Sequence, residues 1–174
     1  MDAIEIRTCT DRDLEVLRTR WPSRADVHGS HHARQMEGAA TYLVAWRGDE
    51  PLGAGMVQWG GCLGPEARAA FPGAVEINHV QVREEFRGQG VGTSLIGAAE
   101  NLAAGRGRTQ VAIAVNDENP EAARLYARLG YAPTGVLDVS EYDWTDDDGV
   151  VHHAIERDQL LVKELTTLAL STSD

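Results

Sequence analysis

Three glycines at alternate positions, Gly88, Gly90 and Gly92, lie within the stretch Val82-Arg-Glu-Glu-Phe-Arg-Gly-Gln-Gly-Val-Gly-Thr-Ser94. A strand-like run ends just before them and an apolar helical pattern begins at once. Glycines so placed leave main-chain N–H groups bare and free to point into one concavity. A helix N-terminus beside them adds unpaired donors and about half a positive charge. The chemistry this favours is the holding of an anionic phosphate, chiefly by main chain. Spacing narrows the choice: a dinucleotide turn needs G-x-G-x-x-G and a P-loop needs G-x-x-x-x-G-K-[ST], and this loop offers G-x-G-x-G with no Gly-Lys pair. Two further groups could do chemistry. Tyr126 carries a phenol that is neutral near pH 7 and can donate a proton at short range. Glu76, Asn78 and His79 lie in a run, Ala74 to Arg83, that otherwise reads as a buried strand, where polar groups are costly unless paired or functional.

These residues are positioned by recognisable elements. Val91 to Ala104 reads as a helix, with Val91, Leu95, Ala99 and Leu102 on one face. Val111 to Val115 is a short buried strand. In Asn119-Pro-Glu-Ala-Ala-Arg-Leu-Tyr-Ala-Arg-Leu-Gly-Tyr131, Asn119 is a good N-cap, Pro120 fits the first helical position and Gly130 suits a left-handed terminus. Upstream, Ala3 to Arg7 alternates as an opening strand, and Asp11 to Arg20 reads as a helix capped by Thr10 or Asp11 and ended by Trp21-Pro22. A short helix is expected around Ser30 to Met36. Thr41 to Trp46 and Leu52 to Trp59 form two strands about a turn, and Gly60 to Gly73 reads as an irregular loop. Tyr131 to about Asp143 and Val151 to Lys163 read as a closing strand pair, with the turn at Trp144 to Gly149 and a frayed end at Ser171 to Asp174. On strict alternation Glu76, Asn78, Val80 and Val82 share one face, and Val75, Ile77, His79 and Gln81 the other.

Arg87-Gly-Gln-Gly-Val-Gly92 resembles the R/Q-x-x-G-x-G/A signature of the GNAT superfamily of N-acetyltransferases. Asn119 to Tyr131 resembles that family's second signature, N-x-x-A-x-x-L-Y-x-x-x-G-[FY], in the right order and with a strand between. The likeness is close from Glu76 to about Leu137 and looser elsewhere; the first seventy residues carry no diagnostic motif. It implies a mixed α/β (α+β) fold, with a central, mostly antiparallel sheet whose middle strands splay, flanked by helices. It implies acetyl-CoA as co-substrate, its pyrophosphate on Arg87, Gly88, Gln89, Gly90, Val91, Gly92 and Thr93. It implies a backbone N–H at Val80 or Val82 polarising the thioester carbonyl, Asn119 holding the pantetheine arm, and Tyr126 protonating the departing sulfur. Glu76 matches the family's base or relay, with His79 as competitor. Where the family often has proline after the strand, this chain has Glu84, which leaves the loop amides unaffected.

At 174 residues the chain is expected to be one domain over 1–170, with an acceptor side at 1–73, a cofactor-binding core at 74–137 and the strand pair at 138–170. The composition is that of a globular protein, without a membrane span or signal peptide, so a cytoplasmic location is expected. Cys9 and Cys62 are too few for a disulfide framework. The net charge of −11 disfavours nucleic acid and anionic membrane as partners. Arg83, Arg87, Arg106, Arg108, Arg124 and Arg128 cluster in the cofactor half, leaving the acidic excess available to a cationic acceptor. His28, His31 and His32 cluster without a third ligand in a recognised zinc spacing, so no metal is expected. The expected acceptor is a primary amine on a small cationic metabolite or antibiotic; protein lysine or N-terminal acetylation is the alternative, and a non-catalytic acyl-CoA sensor the alternative of another class. Homodimerisation is common in the family.

Overall fold

The computed structural model describes residues 2–166; the frayed end expected at Ser171 to Asp174 lies outside them. The order is β1 (Glu5–Thr8), α1 (Asp11–Arg20), α2 (Val27–Met36), β2 (Ala40–Arg47), β3 (Glu50–Gln58), α3 (Pro65–Ala70), β4 (Ala74–Val82), α4 (Val91–Gly105), β5 (Gln110–Val115), α5 (Pro120–Arg128), β6 (Ala132–Thr145) and β7 (Val151–Glu164). Local chemistry explains the boundaries. Thr10 caps α1 reciprocally: its hydroxyl accepts from Asp13 N at 3.1 Å, and the Asp13 carboxylate accepts from Thr10 N at 3.1 Å. α2 begins earlier than its polar sequence suggests, because a 3-10 turn at Arg24–Asp26 delivers the chain to Val27. α3 lies inside the stretch expected to be irregular. It is six residues long, too short for periodicity to show, and Pro65 starts it. The β6–β7 strands run through Thr145, so the turn is confined to the residues after it and closes through Asp146 N to Val150 O at 3.0 Å.

The seven strands form one sheet in the order β1-β2-β3-β4-β5-β7-β6. Every pairing is antiparallel except β4 with β5. That parallel pairing ends at Ile77↔Ile113. Beyond it β4 continues against β3, while Ala114 and Val115 continue against β7. The two central strands therefore part from residue 78 onward, and a wedge opens in the middle of the sheet.

A bulge accompanies the parting. Ala54 pairs with Gln81 and Met56 with Asn78, so Gly55 faces two residues of β4. His79 takes up the extra length with φ +52°. Gly55 permits it, since a Cβ there would stand 3.3 Å from Val80 Cγ2. The bulge corrects the strict alternation expected from the sequence. Val75 and Ile77 belong to the large core beneath α4, and Val80 and Val82 pack against that same core. Glu76 and Asn78 remain on the opposite face, and His79 and Gln81 join that side, beside Tyr42 and Ala54.

α4 and α5 cover one face, burying Leu95, Ile96, Ala99 and Tyr126 against Leu43, Val57, Val75 and Ile77. α1 covers the other, with Leu14 and Leu17 on Tyr42, Val44, Trp46 and Met56. Among the described residues β6 pairs only with β7, and β7 leaves β5 at Gln159. Residues 138–145 and 151–158 thus project as a two-stranded ribbon. No helix among the described residues is long and apolar enough to cross a membrane. Cys9 and Cys62 are buried and unpaired.

Candidate active site

The glycine loop does what its sequence permits. Gly88 and Gly90 have φ of +73° and +84°, a conformation costly to residues with a Cβ. Gly90 is the N-cap of α4 and supplies no side-chain cap, so the first-turn N–H groups of Val91, Gly92 and Thr93 stay open. Gly92 brings the helix end close to Leu125, which a Cβ would meet at 3.3 Å. These residues line a groove of about 630 Å³ that runs past Arg87 and Arg128 to Val80, Val82, Asn119 and Tyr126. Fifteen helical residues behind the open amides give the dipole its length. An elongated ligand with phosphates at one end and an uncharged arm at the other suits this groove.

Of the residues expected at the cofactor, the groove gathers Val80, Val82, Arg87, Gly88, Gly90, Val91, Gly92, Thr93, Asn119 and Tyr126. Gln89 is not brought in: its side chain accepts from Arg47 at 3.1 Å on the outside of the loop. Two of the six arginines attributed to this half, Arg87 and Arg128, line the groove. Arg83 is held by Glu50 and Glu85, and Arg106 lies 3.8 Å above the Trp59 ring, so those charges are spent elsewhere. Sequence reasoning did not single out Leu125, Phe86 and Gln81; they are ordinary core or loop residues until the fold sets them beside the glycines.

Val80, Asn119, Ala122 and Tyr126 also line a second cavity, of about 190 Å³, on the far side of the wedge. Asn119 caps α5 through its Oδ1, which accepts from Ala122 N at 3.1 Å, so its amide nitrogen is left over for a ligand. Tyr126 is 7% exposed, and desolvation raises its pKa, keeping the phenol protonated.

Glu76 forms the floor of this second cavity and is 1% exposed. It is neither solvated nor salt-bridged, the two ordinary fates of a strand glutamate. Its carboxyl accepts from Leu63 N at 3.1 Å and from Asn78 Nδ2 at 3.2 Å. Against it lies Asp138, 4% exposed, which accepts from Gly64 N at 2.6 Å. Burial, and then the hydrogen bond and charge of Asp138, raise the Glu76 pKa well above the carboxylate range. Glu76 thus holds its proton far more tightly than an ordinary glutamate. Two successive loop amides hold the two carboxyls in place, and Gly64 is required there because a Cβ would lie 2.6 Å from Val139 N. Cys62, behind the pair, is pushed up to about 12 by burial and by both acids, and is no nucleophile.

Asp138, Ser140, Glu156 and Asp158 complete the wall of the cavity, and none was picked out from the sequence. Their signal was present as polar residues at alternate positions in β6 and β7, but only the register, Asp138↔Asp158 and Ser140↔Glu156, sets them side by side. His79 lies at the rim and also borders a third cavity, of about 280 Å³, walled by Trp21, His28, His31 and Tyr42. Its imidazole is held below the usual value by desolvation and by Arg34. The bulge thus brings His79 to the same cavity as Glu76, where strict alternation had separated them. The histidine cluster is structural in part. His28 is locked between Tyr42 OH, at 2.6 Å, and Trp21 O, at 2.7 Å. The carbonyl fixes the proton on Nε2, so the tyrosine donates to Nδ1. No group of three or more potential ligands among the described residues is placed to hold a metal ion.

A sequence profile described as the acetyltransferase (GNAT) family matches residues 7–131. The chain belongs to that family. The family's co-substrate is acetyl-CoA, and the loop, the open helix end and the adjoining arm channel fit it. An uncharacterized N-acetyltransferase of Methanocaldococcus jannaschii is 45% identical over 62 residues, 36% of this chain; the chain spans only about a quarter of that relative, 27% of its length. Two solved structures share the fold. A GNAT superfamily phosphinothricin acetyltransferase from Sinorhizobium meliloti, in complex with AcCoA, superposes with a TM-score of 0.62 at 17% identity, covering 93% of this chain and 88% of its own. Arabidopsis thaliana NAA60, in complex with a bisubstrate analogue, gives 0.62 at 17% identity, covering 93% and 98%.

Proposed function

We propose that this protein transfers the acetyl group of acetyl-CoA directly to the primary amine of a small cationic acceptor. One observation carries the reading: the phosphate-binding groove and a carboxylate-walled cavity adjoin at the wedge, where both are lined by Val80, Asn119, Ala122 and Tyr126. Donor and acceptor can therefore meet without a covalent enzyme intermediate.

Acetyl-CoA supplies an activated thioester, and this chain's residues do the rest. Open amides at Val91, Gly92 and Thr93, with Arg87 and Arg128, hold its phosphates. Asn119 offers its free amide nitrogen to the pantetheine arm. The Val80 N–H, at the point where β4 leaves β5, polarises the carbonyl; one such donor is worth about 3 kcal/mol of barrier. An alkyl amine arrives protonated and must lose a proton to attack. Glu76 takes that proton. Its raised proton affinity lies closer to that of an ammonium than an ordinary carboxylate's does, which lowers the cost of transfer. The cation entering beside it favours its ionised form. Tyr126, kept neutral by burial, protonates the departing thiolate.

The test is release of free thiol from acetyl-CoA against small mono- and dicationic amines and, separately, lysine and N-terminal peptides. Turnover with small amines and none with peptides is expected. Peptides as the faster acceptors would overturn the acceptor class. Calorimetric binding of acetyl-CoA with no turnover by either set would overturn the reaction in favour of a sensor.

A further inference from the structure

We infer that the acceptor carries a second ammonium group, seated on Glu156 and Asp158 while the reacting amine lies at Glu76. The inference rests on the proposed acetyl transfer and adds the reason for the cavity's far wall.

Catalysis at Glu76 needs one carboxyl and its neighbour. The cavity holds four, Glu76, Asp138, Glu156 and Asp158, and among the described residues no lysine or arginine lines it. Among the described residues none of the four takes part in a salt bridge, although the chain pairs carboxylates with cations at several other places. Asp138 and Asp158 are direct cross-strand partners, an arrangement that costs stability when like charges face each other. Among the described residues Glu156, one step along the same face, accepts only from Tyr142 OH at 2.7 Å, and Asp158 only from Asn116 Nδ2 at 3.1 Å. Each carboxylate keeps lone pairs for further donors.

A separate observation asks for a donor in this cavity. Asn78, on its wall, has an Oδ1 atom shielded from solvent and without a donor among the described residues. A buried acceptor left unpaired costs about 1–3 kcal/mol; Asn78 is half-buried and its Nδ2 donates to Glu76, so a turn of the amide toward the cavity would let a bound N–H group reach the Oδ1 atom. The ligand that answers all of these groups presents several N–H donors and positive charge in more than one place. A single ammonium at Glu76 leaves Glu156 and Asp158 facing an empty wall. A second ammonium on a short spacer reaches them along the same strand face. It also places the reacting nitrogen by fixing the far end, so that these two carboxylates set which amine is acetylated.

The experiment compares 1,4-diaminobutane with n-butylamine, matched in length and differing by one ammonium, in the thiol-release assay. Kanamycin serves as a ring-bearing polycation. For the full chain kcat/KM should favour 1,4-diaminobutane or kanamycin over the monoamine by about tenfold or more, the worth of one charge-assisted contact. The faster of these two identifies a linear or a ring acceptor. In Glu156→Gln, Asp158→Asn and their double variant that ratio should fall toward one, with acetyl-CoA binding by calorimetry as the check on folding. Equal kcat/KM for diamine and monoamine in the unaltered protein overturns the second subsite and leaves the reaction standing. So does a ratio that the double variant preserves. No thiol release with any amine, beside calorimetric diamine binding that the double variant loses, overturns the reaction and leaves the subsite standing.

Discussion

Replacing Glu76 by glutamine should make the protein more stable as the pH rises. In the folded chain Glu76 is buried against Asp138 and holds its proton well above the pH at which an unfolded glutamate releases it. Folding near neutrality therefore takes up a proton. Stability then falls with pH, because the unfolded state binds fewer protons than the folded one. Its slope is at most about 1.4 kcal/mol per pH unit for one such group, over the window from the ordinary glutamate value up to the raised one. Between about pH 6 and about pH 8 the wild type should thus lose up to about 3 kcal/mol relative to Glu76→Gln. Glutamine keeps the shape, can still accept from Leu63 N, and can donate to Asp138. Urea unfolding followed by tryptophan fluorescence at several pH values measures the difference. Parallel stability curves for the two proteins across that window would refute the raised proton affinity of Glu76. A wild type that gains stability on Glu76→Gln as the pH falls would refute it equally.

Asp138→Asn removes the neighbour that raises Glu76's proton affinity, so Glu76 ionises at lower pH. The alkaline rise of kcat/KM should move to lower pH, as a pH–rate profile would show. Tyr126→Phe should lower kcat by about a hundredfold, the lower range for loss of a general acid. Acetyl-CoA affinity by calorimetry should stay within about twofold, because the phenol is not needed to hold phosphate. Gly90→Ala places a Cβ at φ +84°, costs about 1–2 kcal/mol, and should raise the acetyl-CoA Kd by about tenfold. Gly64→Ala would drive a Cβ into Val139 N and Asp138; thermal unfolding should show a loss of several degrees, with the site's pH dependence disturbed as well.

The parts of the site readable from sequence are those whose chemistry is local. Gly88, Gly90 and Gly92 announce a turn and a helix start within a few residues, and Asn119 to Gly130 carries its own cap, face and terminus. Glu76 stood out as a carboxylate in a run otherwise suited to burial. What escaped was set by distant partners or by one dihedral angle. His79 adopts a positive φ because β4 must leave β5 while staying on β3, and nothing in its neighbours' hydropathy says so. That one residue exchanges the faces of Val80 and Val82. Asp138 meets Glu76 across sixty-two positions, through a loop whose two amides fix both, and Gln89 turns outward because Arg47 happens to be there. The helix at Pro65–Ala70 was hidden by its brevity.

Among the described residues, the ribbon formed by β6 and β7 beyond Asp138 and Asp158 has no third strand on its outer side. Two strands alone are only marginally stable in water. Opening of this ribbon therefore costs less than global unfolding, and its amides should exchange with deuterium before those of β3 and β4. The wall carrying Glu156 is in that sense a separate cooperative unit of the chain. A dication bridging it to Glu76 would slow exchange along residues 140–156 while leaving the glycine loop's protection unchanged, so the acceptor's grip can be read segment by segment without any turnover.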